Sequence, residues 1–224
     1  MRSLPLPIAL TARLSPVVVL AAAGWALSSG PLAATPAAED RAATQKTDGE
    51  QEPSAPATQA VSKTYSAAPA PCDSLGSKSI KSLVPGAKTA GKEIPSTDSK
   101  LRRTCSWNAL KGYEYRWLDV SFEITQSDDA AKESFKERVA DKSGGGDVPG
   151  IGDAGYSVVN LSTEDKQQTR EGVVLVRSSN ALVSITYSGS DFESKKAPAS
   201  DDINKGAIKA AKEAVAALED GQKG

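Results

Sequence analysis

The 224 residues carry 27 basic and 28 acidic side chains, with 39% apolar and 5% aromatic residues, enough for one domain of ordinary size with segments to spare. A near-neutral chain has no basic surplus with which to displace the counterions of a phosphate backbone, so a nucleic-acid partner is disfavoured. Histidine is absent, which removes the commonest general base, the Ser-His and Cys-His nucleophile pairs and the commonest zinc ligand.

The chain opens on residues 1–13, charged only at Arg2 and Arg13. The apolar run Pro16-Val17-Val18-Val19-Leu20-Ala21-Ala22-Ala23-Gly24-Trp25-Ala26-Leu27 follows, and then Ser28-Ser29-Gly30-Pro31-Leu32-Ala33-Ala34. The run has the length of a signal-peptide core, and Leu32-Ala33-Ala34 is an acceptable cleavage site. The competing reading is a retained anchor, because no charge interrupts the chain between Arg13 and Glu39 and arginine on the N-terminal side keeps that end cytoplasmic. Either reading of residues 1–34 places the remainder outside the cytoplasm. Without Arg2 and Arg13 the balance is 25 basic against 28 acidic residues. A bacterial lipobox is ruled out, since the first cysteine is Cys72.

Residues 35–71 read as a linker. Ten alanines and five prolines fill them, and the larger apolar side chains are Val61 and Tyr65 alone. Such a stretch buries too little area to offset its ordering entropy, which predicts disorder with polyproline character. Cys72 and Cys105 are the two cysteines. In an exported chain an even count with nothing left over reads as one disulfide; the alternative is two free buried thiols.

From Cys72 to the C-terminus the pattern is that of one folded domain, residues 72–224. A short helix is expected over residues 77–84, capped by Ser77, carrying Ile80, Leu83 and Val84, and ended by Pro85-Gly86. A polar loop runs over 87–100. Strand signals follow at 104–109, with Cys105 and Trp107 on one face, and at 115–125 beyond a turn at Gly112. In the second of these, Leu118, Val120, Phe122 and Ile124 alternate with Trp117, Asp119, Ser121 and Glu123, the mark of a sheet with one face in a core and one face wet.

A helix over 128–140, capped by Ser127 or Asp128, places Ala131, Phe135 and Val139 on a buried stripe. The glycine-rich loop 143–150 leads to strands at 154–161, 172–177 and 181–188, the last two joined by the turn Ser178-Ser179-Asn180. Val173-Val174-Leu175-Val176 is apolar on both sides and is placed centrally. A final helix over 201–218 repeats Ile203, Ala207, Ile208, Ala211, Val215 and Leu218 at helical spacing, with Gly221 beyond it. The order α-β-β-α-β-β-β-α with hairpin-length links predicts an α+β domain, an antiparallel sheet of about five strands with helices packed on it.

Gly150-Ile151-Gly152-Asp153-Ala154-Gly155 spells G-x-G-x-x-G. A pyrophosphate cradle needs a strand before that motif and a helix after it. Here the order is reversed, and the motif reads as a turn into a strand. The pairs Asp128-Asp129 and Asp201-Asp202 stand at helix starts, where acidic side chains favour the positive end of the dipole. Neither a serine-hydrolase elbow, a penicillin-binding signature nor an EF-hand loop occurs, so no catalytic, cofactor or metal residues are assigned. Tyr113, Tyr115 and Trp117 are the candidate stacking platform on the outer sheet face; the competing reading packs them under a loop or helix.

Pro71-Cys72-Asp73-Ser74-Leu75, Cys105-Ser106-Trp107 and Val148-Pro149-Gly150-Ile151-Gly152-Asp153-Ala154, in that order, resemble the motifs of an actinobacterial family of exported domains of unknown function, many of them cell-envelope lipoproteins. The resemblance spans Cys72 to about Leu218. It implies a secreted α+β domain with a Cys72–Cys105 bridge and brings no catalytic residues; the lipobox cysteine of such lipoproteins is missing. The expectation is a non-enzymatic envelope module that binds a ligand or a protein and touches the membrane only through its N-terminal segment. The alternatives are an enzyme of unfamiliar type working through carboxylates or lysine, and a structural or masking surface protein.

Overall fold

A computed structural model describes residues 64–221. The readings of residues 1–34 and of most of the linker lie outside the described residues. Seven strands follow in chain order: β1 Lys92–Ile94, β2 Arg102–Lys111, β3 Glu114–Ile124, β4 Gly146–Asp147, β5 Ala154–Glu164, β6 Gln167–Ser178 and β7 Ala181–Asp191. Three α-helices, α1 Ser77–Leu83, α2 Asp128–Ala140 and α3 Ser200–Asp220, interrupt them. All seven strands join one antiparallel sheet in the order β1-β2-β3-β7-β6-β5-β4.

The α+β class is therefore as expected, and the strand count is corrected from about five to seven, in the order α-β-β-β-α-β-β-β-β-α. The two unforeseen strands are short edge strands. β1 has three residues and lies within the stretch read as polar loop, and β4 has two and lies within the glycine-rich loop. Neither is long enough to show an alternation. β5 and β6 also extend further than their apolar cores, because a tight turn joins them at Asp165 and Lys166, both with positive φ (48° and 69°), the twist that two-residue hairpins favour.

Alternation assigns the two faces of the sheet. Cys105, Val120, Ile185 and Val174 lie in register across β2, β3, β7 and β6, and all four are buried. α3 covers this inner face with Ile203, Gly206, Ala207, Ala210, Ala211, Ala214, Val215 and Leu218. Small residues let the helix lie close: a Cβ added at Gly206 would stand 2.6 Å from the Tyr187 ring. Tyr187 is itself fixed, donating its hydroxyl to Leu83 O at 2.7 Å. β6 is apolar on both sides because both sides are covered, by α3 on the inner face and by α2 over Val173 and Leu175 on the outer.

α1 is held from several directions. Ile80 and Leu83 enter the core. Glu213 of α3 accepts from Gly76 N at 3.2 Å and from the Ser79 hydroxyl. Ser77 is not its cap; Gly76 occupies the N-cap position with no side-chain cap. α2 is capped by Ser127, whose Oγ accepts from Ala130 N at 3.0 Å. Its expected stripe is corrected: Ala131 is buried, whereas Phe135 and Val139 are half-buried, because α2 crosses only part of the sheet and its C-terminal half borders open clefts.

The linker reading is corrected at its C-terminal end. Tyr65, Ala68 and Pro71 are buried in the domain core. The Tyr65 hydroxyl meets Ser178 Oγ at 3.1 Å, and Ala68 N donates to Lys100 O at 2.7 Å. Asn180 supplies what composition could not show: its side chain reaches across from the β6–β7 turn and binds the backbone of residues 64 and 65.

Cys72 and Cys105 form a disulfide, with Cα atoms 5.2 Å apart. Beside it, the edge strand β1 is clamped by a two-pronged ion pair, Glu93 accepting from Arg103 Nε at 2.7 Å and Nη2 at 2.8 Å. The Arg103 guanidinium holds the Glu93 carboxyl below the usual glutamate range. A depressed folded pKa contributes stability that is complete above the unfolded value and is lost as pH falls through the folded one. Acidification through that window is therefore expected to lower the protection of the β1 amides, taken relative to their intrinsic exchange rates at each pH, while moving global stability by less than about 1 kcal/mol, since the pair is partly exposed. Unchanged exchange at Lys92–Ile94 in a Glu93→Gln variant, measured by hydrogen–deuterium exchange, would show that the pair does not hold the edge.

Candidate functional site

α2 crosses only part of the outer face, and the remainder is open. Three rows of side chains cross this face, their β6 members Val173 and Leu175 lying toward α2. Asn108, Trp117, Ser188 and Glu171 stand in register across β2, β3, β7 and β6, as do Ser106, Asp119, Thr186 and Val173, and then Thr104, Ser121, Ser184 and Leu175. Successive rows are separated by about 7 Å along the strands. Two contiguous clefts of about 200 and 340 Å³ share Arg138, Ser184 and Thr186 and form a groove beside the C-terminal half of α2. Thr104 and Ser121 exchange a hydrogen bond at 2.9 Å on its floor.

Charges along the groove are mixed and largely paired. Glu123 accepts from Arg138 at 2.7 Å and lies 4.0 Å from Arg102. Asp119 accepts from the Trp117 indole N–H at 2.6 Å, which fixes the indole on the sheet. Burial, and then the Asp119 charge, push the Tyr115 hydroxyl above the usual tyrosine range, so it stays a donor at neutral pH.

At one end of this face stands an aromatic cluster. Trp117 meets Tyr115 edge-on at 6.5 Å with planes 89° apart, and Tyr115 meets Phe192 at 6.2 Å with planes 37° apart. Trp117 is 40% exposed and Phe192 48%. The competing reading, that Tyr113, Tyr115 and Trp117 pack under a loop or helix, fails for Trp117 and Tyr113, both exposed. Tyr113 does not share in these ring contacts; it sits in the β2–β3 turn, 58% exposed, where its carbonyl accepts from Phe192 N at 2.9 Å. Phe192 was not foreseen, because a lone aromatic after a strand carries no periodic signal. The hydroxyl floor was legible as the polar half of the β3 alternation, but its continuation through Ser184 and Thr186 required the β3–β7 pairing.

A third cleft, of about 420 Å³, adjoins at the β2 edge between residues 86–92 and Ser106, Trp107, Asn108 and Leu110. The Ser106 hydroxyl at its wall is buried without a hydrogen-bond partner.

The remaining sequence candidates are structural. Residues 150–155 turn into β5. A Cβ at Gly152, where φ is 55°, would lie 2.5 Å from Arg177 O, and Asp153 accepts from Arg177 Nη1 at 2.9 Å and Ser179 N at 2.7 Å. The motif thus clamps the β6–β7 turn. Asp128-Asp129 and Asp201-Asp202 occupy the first turns of α2 and α3. Cys72 and Cys105 are spent in the disulfide. Among the described residues no group of acidic or cysteine side chains is arranged to hold a metal ion, and no helix is long and apolar enough to cross a membrane.

No protein-family model matches the chain, and no curated protein matches it significantly. A crystal structure of a protein from Bacteroides thetaiotaomicron VPI-5482 is similar over 44% of this chain and 41% of that one, at 9% identity and a TM-score of 0.29. The chain thus spans less than half the length of that structure, and the likeness carries no weight for fold or function.

Proposed function

We propose that the protein is a non-enzymatic module of the cell envelope, exported by its N-terminal segment, which binds its ligand on the open outer face of the sheet. The observation that carries this reading is the face itself: a groove floored by hydroxyls beside an exposed aromatic cluster whose tryptophan is held in place by Asp119. Aromatic surface left in water beside convergent polar groups is the composition of a binding site rather than of an inert exterior. The disulfide supports an extracytoplasmic location, and the ordered motifs that resemble exported actinobacterial domains agree with it.

The test is co-sedimentation of the full chain with envelopes of its own host. Thr186→Arg places a long cation in the groove shared by both clefts, while Lys209→Glu alters the exposed side of α3. Wild type and Lys209→Glu are expected to sediment together, with Thr186→Arg reduced at least about tenfold and its melting temperature shifted by no more than a few degrees. Equal sedimentation of all three, or none by the wild type, would overturn the outer face as the site and favour a masking protein.

A further inference from the structure

We infer that the ligand of the outer face is a neutral polysaccharide, one of whose sugar rings stacks in the corner formed by Trp117, Tyr115 and Phe192 while neighbouring units lie along the hydroxyl floor. The inference rests on the outer face being the ligand site.

The chemistry of the face selects this class. A sugar ring presents C–H bonds on one face and hydroxyls around its rim. The C–H face meets the electron-rich face of an aromatic ring through dispersion and quadrupole attraction. Trp117 stands perpendicular to Tyr115, and Phe192 is tilted toward it by 37°, so the three rings make a corner rather than a flat patch. Holding Trp117 through Asp119 at 2.6 Å removes the side-chain entropy that stacking would otherwise cost. The rim hydroxyls find donors and acceptors in Asn108 and Ser188, which flank Trp117 in register, and then in Ser121, Ser184 and Thr186 along the groove.

The same features weigh against other partners. Arg138 is paired with Glu123 at 2.7 Å, and the other cations of the groove, Arg102 and Lys142, share its lining with Asp119, Asp141 and Glu171, so the groove is mixed in charge and offers no purely cationic cluster to a phosphate or an acidic polymer. A protein partner would be met by an apolar centre depleted in serine, whereas this floor carries Ser121, Ser184 and Thr186. The short strands β1 and β4 pair only with Thr104–Ser106 of β2 and with Tyr156 and Ser157 of β5, so the open stretches of both edges lie apart from the groove, which is a matter of side chains on the sheet face. From the row of Trp117 to that of Glu123 the face runs about 20 Å, room for several sugar units.

The test is affinity electrophoresis of the full chain through native gels containing, in turn, soluble arabinogalactan, mannan, galactan and β-glucan, with polyphosphate and lipoteichoic acid as charged probes. At least one neutral polymer is expected to retard the wild type, by the same amount at low and at high salt, because no counterions are released. Trp117→Ala and Phe192→Ala should each weaken that retardation at least about tenfold, the scale on which truncated aromatic anchors act, and Trp117→Phe should keep most of it. Both positions are exposed, so melting curves will separate lost binding from lost fold, and the two alanine variants test the corner independently. Retardation by the neutral polymers that ignores both alanine variants overturns the inference. So does retardation by polyphosphate or lipoteichoic acid alone, which falls with salt. If none of the neutral polymers binds while Thr186→Arg still abolishes envelope sedimentation, the polysaccharide inference fails and the outer face stands as the site of another ligand; if Thr186→Arg leaves sedimentation intact, the site itself is wrong.

Discussion

Replacing Asn180 by alanine is expected to lower the unfolding free energy by about 3 kcal/mol, because a buried backbone would lose its partners. Asn180 is 0% exposed. Its Oδ1 accepts from Thr64 N at 2.9 Å and Tyr65 N at 2.7 Å, and its Nδ2 donates to Tyr65 O at 2.9 Å and Thr125 O at 3.0 Å. All the polar capacity of one amide is spent on the chain entering the domain and on the segment leaving β3. Alanine would strand the buried Tyr65 N–H and carbonyl, each costing roughly 1–3 kcal/mol, while water recovers part of the loss at Thr64. Asn180→Asp keeps the shape but sets a carboxylate against two carbonyls, and a comparable loss is expected. Tyr65→Phe removes only the hydroxyl contact to Ser178 and should cost roughly 1 kcal/mol. Urea unfolding of the three variants gives the ranking directly; an Asn180→Ala variant as stable as Tyr65→Phe would show that residues 64 and 65 are not docked.

Breaking the disulfide is expected to have an effect of similar size by a different route. Cys72 and Cys105 are 33 residues apart, and closing a loop of that length restricts the unfolded chain by roughly 3.5–4 kcal/mol in the chain-entropy model. Against a total of about 5–15 kcal/mol for a domain, Cys105→Ser or Cys72→Ser should remove a large share. α1, however, is expected to survive in both variants. Ile80 and Leu83 remain in the core, and Glu213 and Tyr187 still bind its two ends. Cys72→Ser is the cleaner test, since Cys105 is fully buried and a serine there also hides a hydroxyl. Thiol titration of the unfolded, unreduced protein should find none in the wild type and one in each variant. Two thiols in the wild type, or a single-variant stability unchanged from wild type, would refute the account.

Where a regular period and a single buried face coincide, the residues are sufficient evidence of their own structure. The alternation of Leu118, Val120, Phe122 and Ile124 and the helical spacing from Ile203 to Leu218 are local facts; the strand face is as expected, and of the helix stripe only Ile208 is corrected, half-buried at the margin of the packed face. Gly112, Ser179 and the glycines of residues 150–155 announced turns by the backbone freedom that turns demand. The absence of histidine likewise constrains the chemistry open to this chain.

Other features depend on partners distant in sequence. A three-residue strand such as β1 has no period of its own and exists because β2 offers it an edge. Tyr65 reads as a stray aromatic in an alanine-proline tract; it is a core residue because Asn180, 115 positions away, satisfies its backbone. The aromatic corner joins β3 to the residue after β7, and the hydroxyl floor exists because β3 pairs with β7 rather than with its successor in the chain. Sequence by itself determined which side chains the long strand β3 and most of α3 turn inward, since burial there follows a local period. Only the tertiary structure decided which outward faces are assembled into one surface, because strand order and register bring together residues that no local period connects.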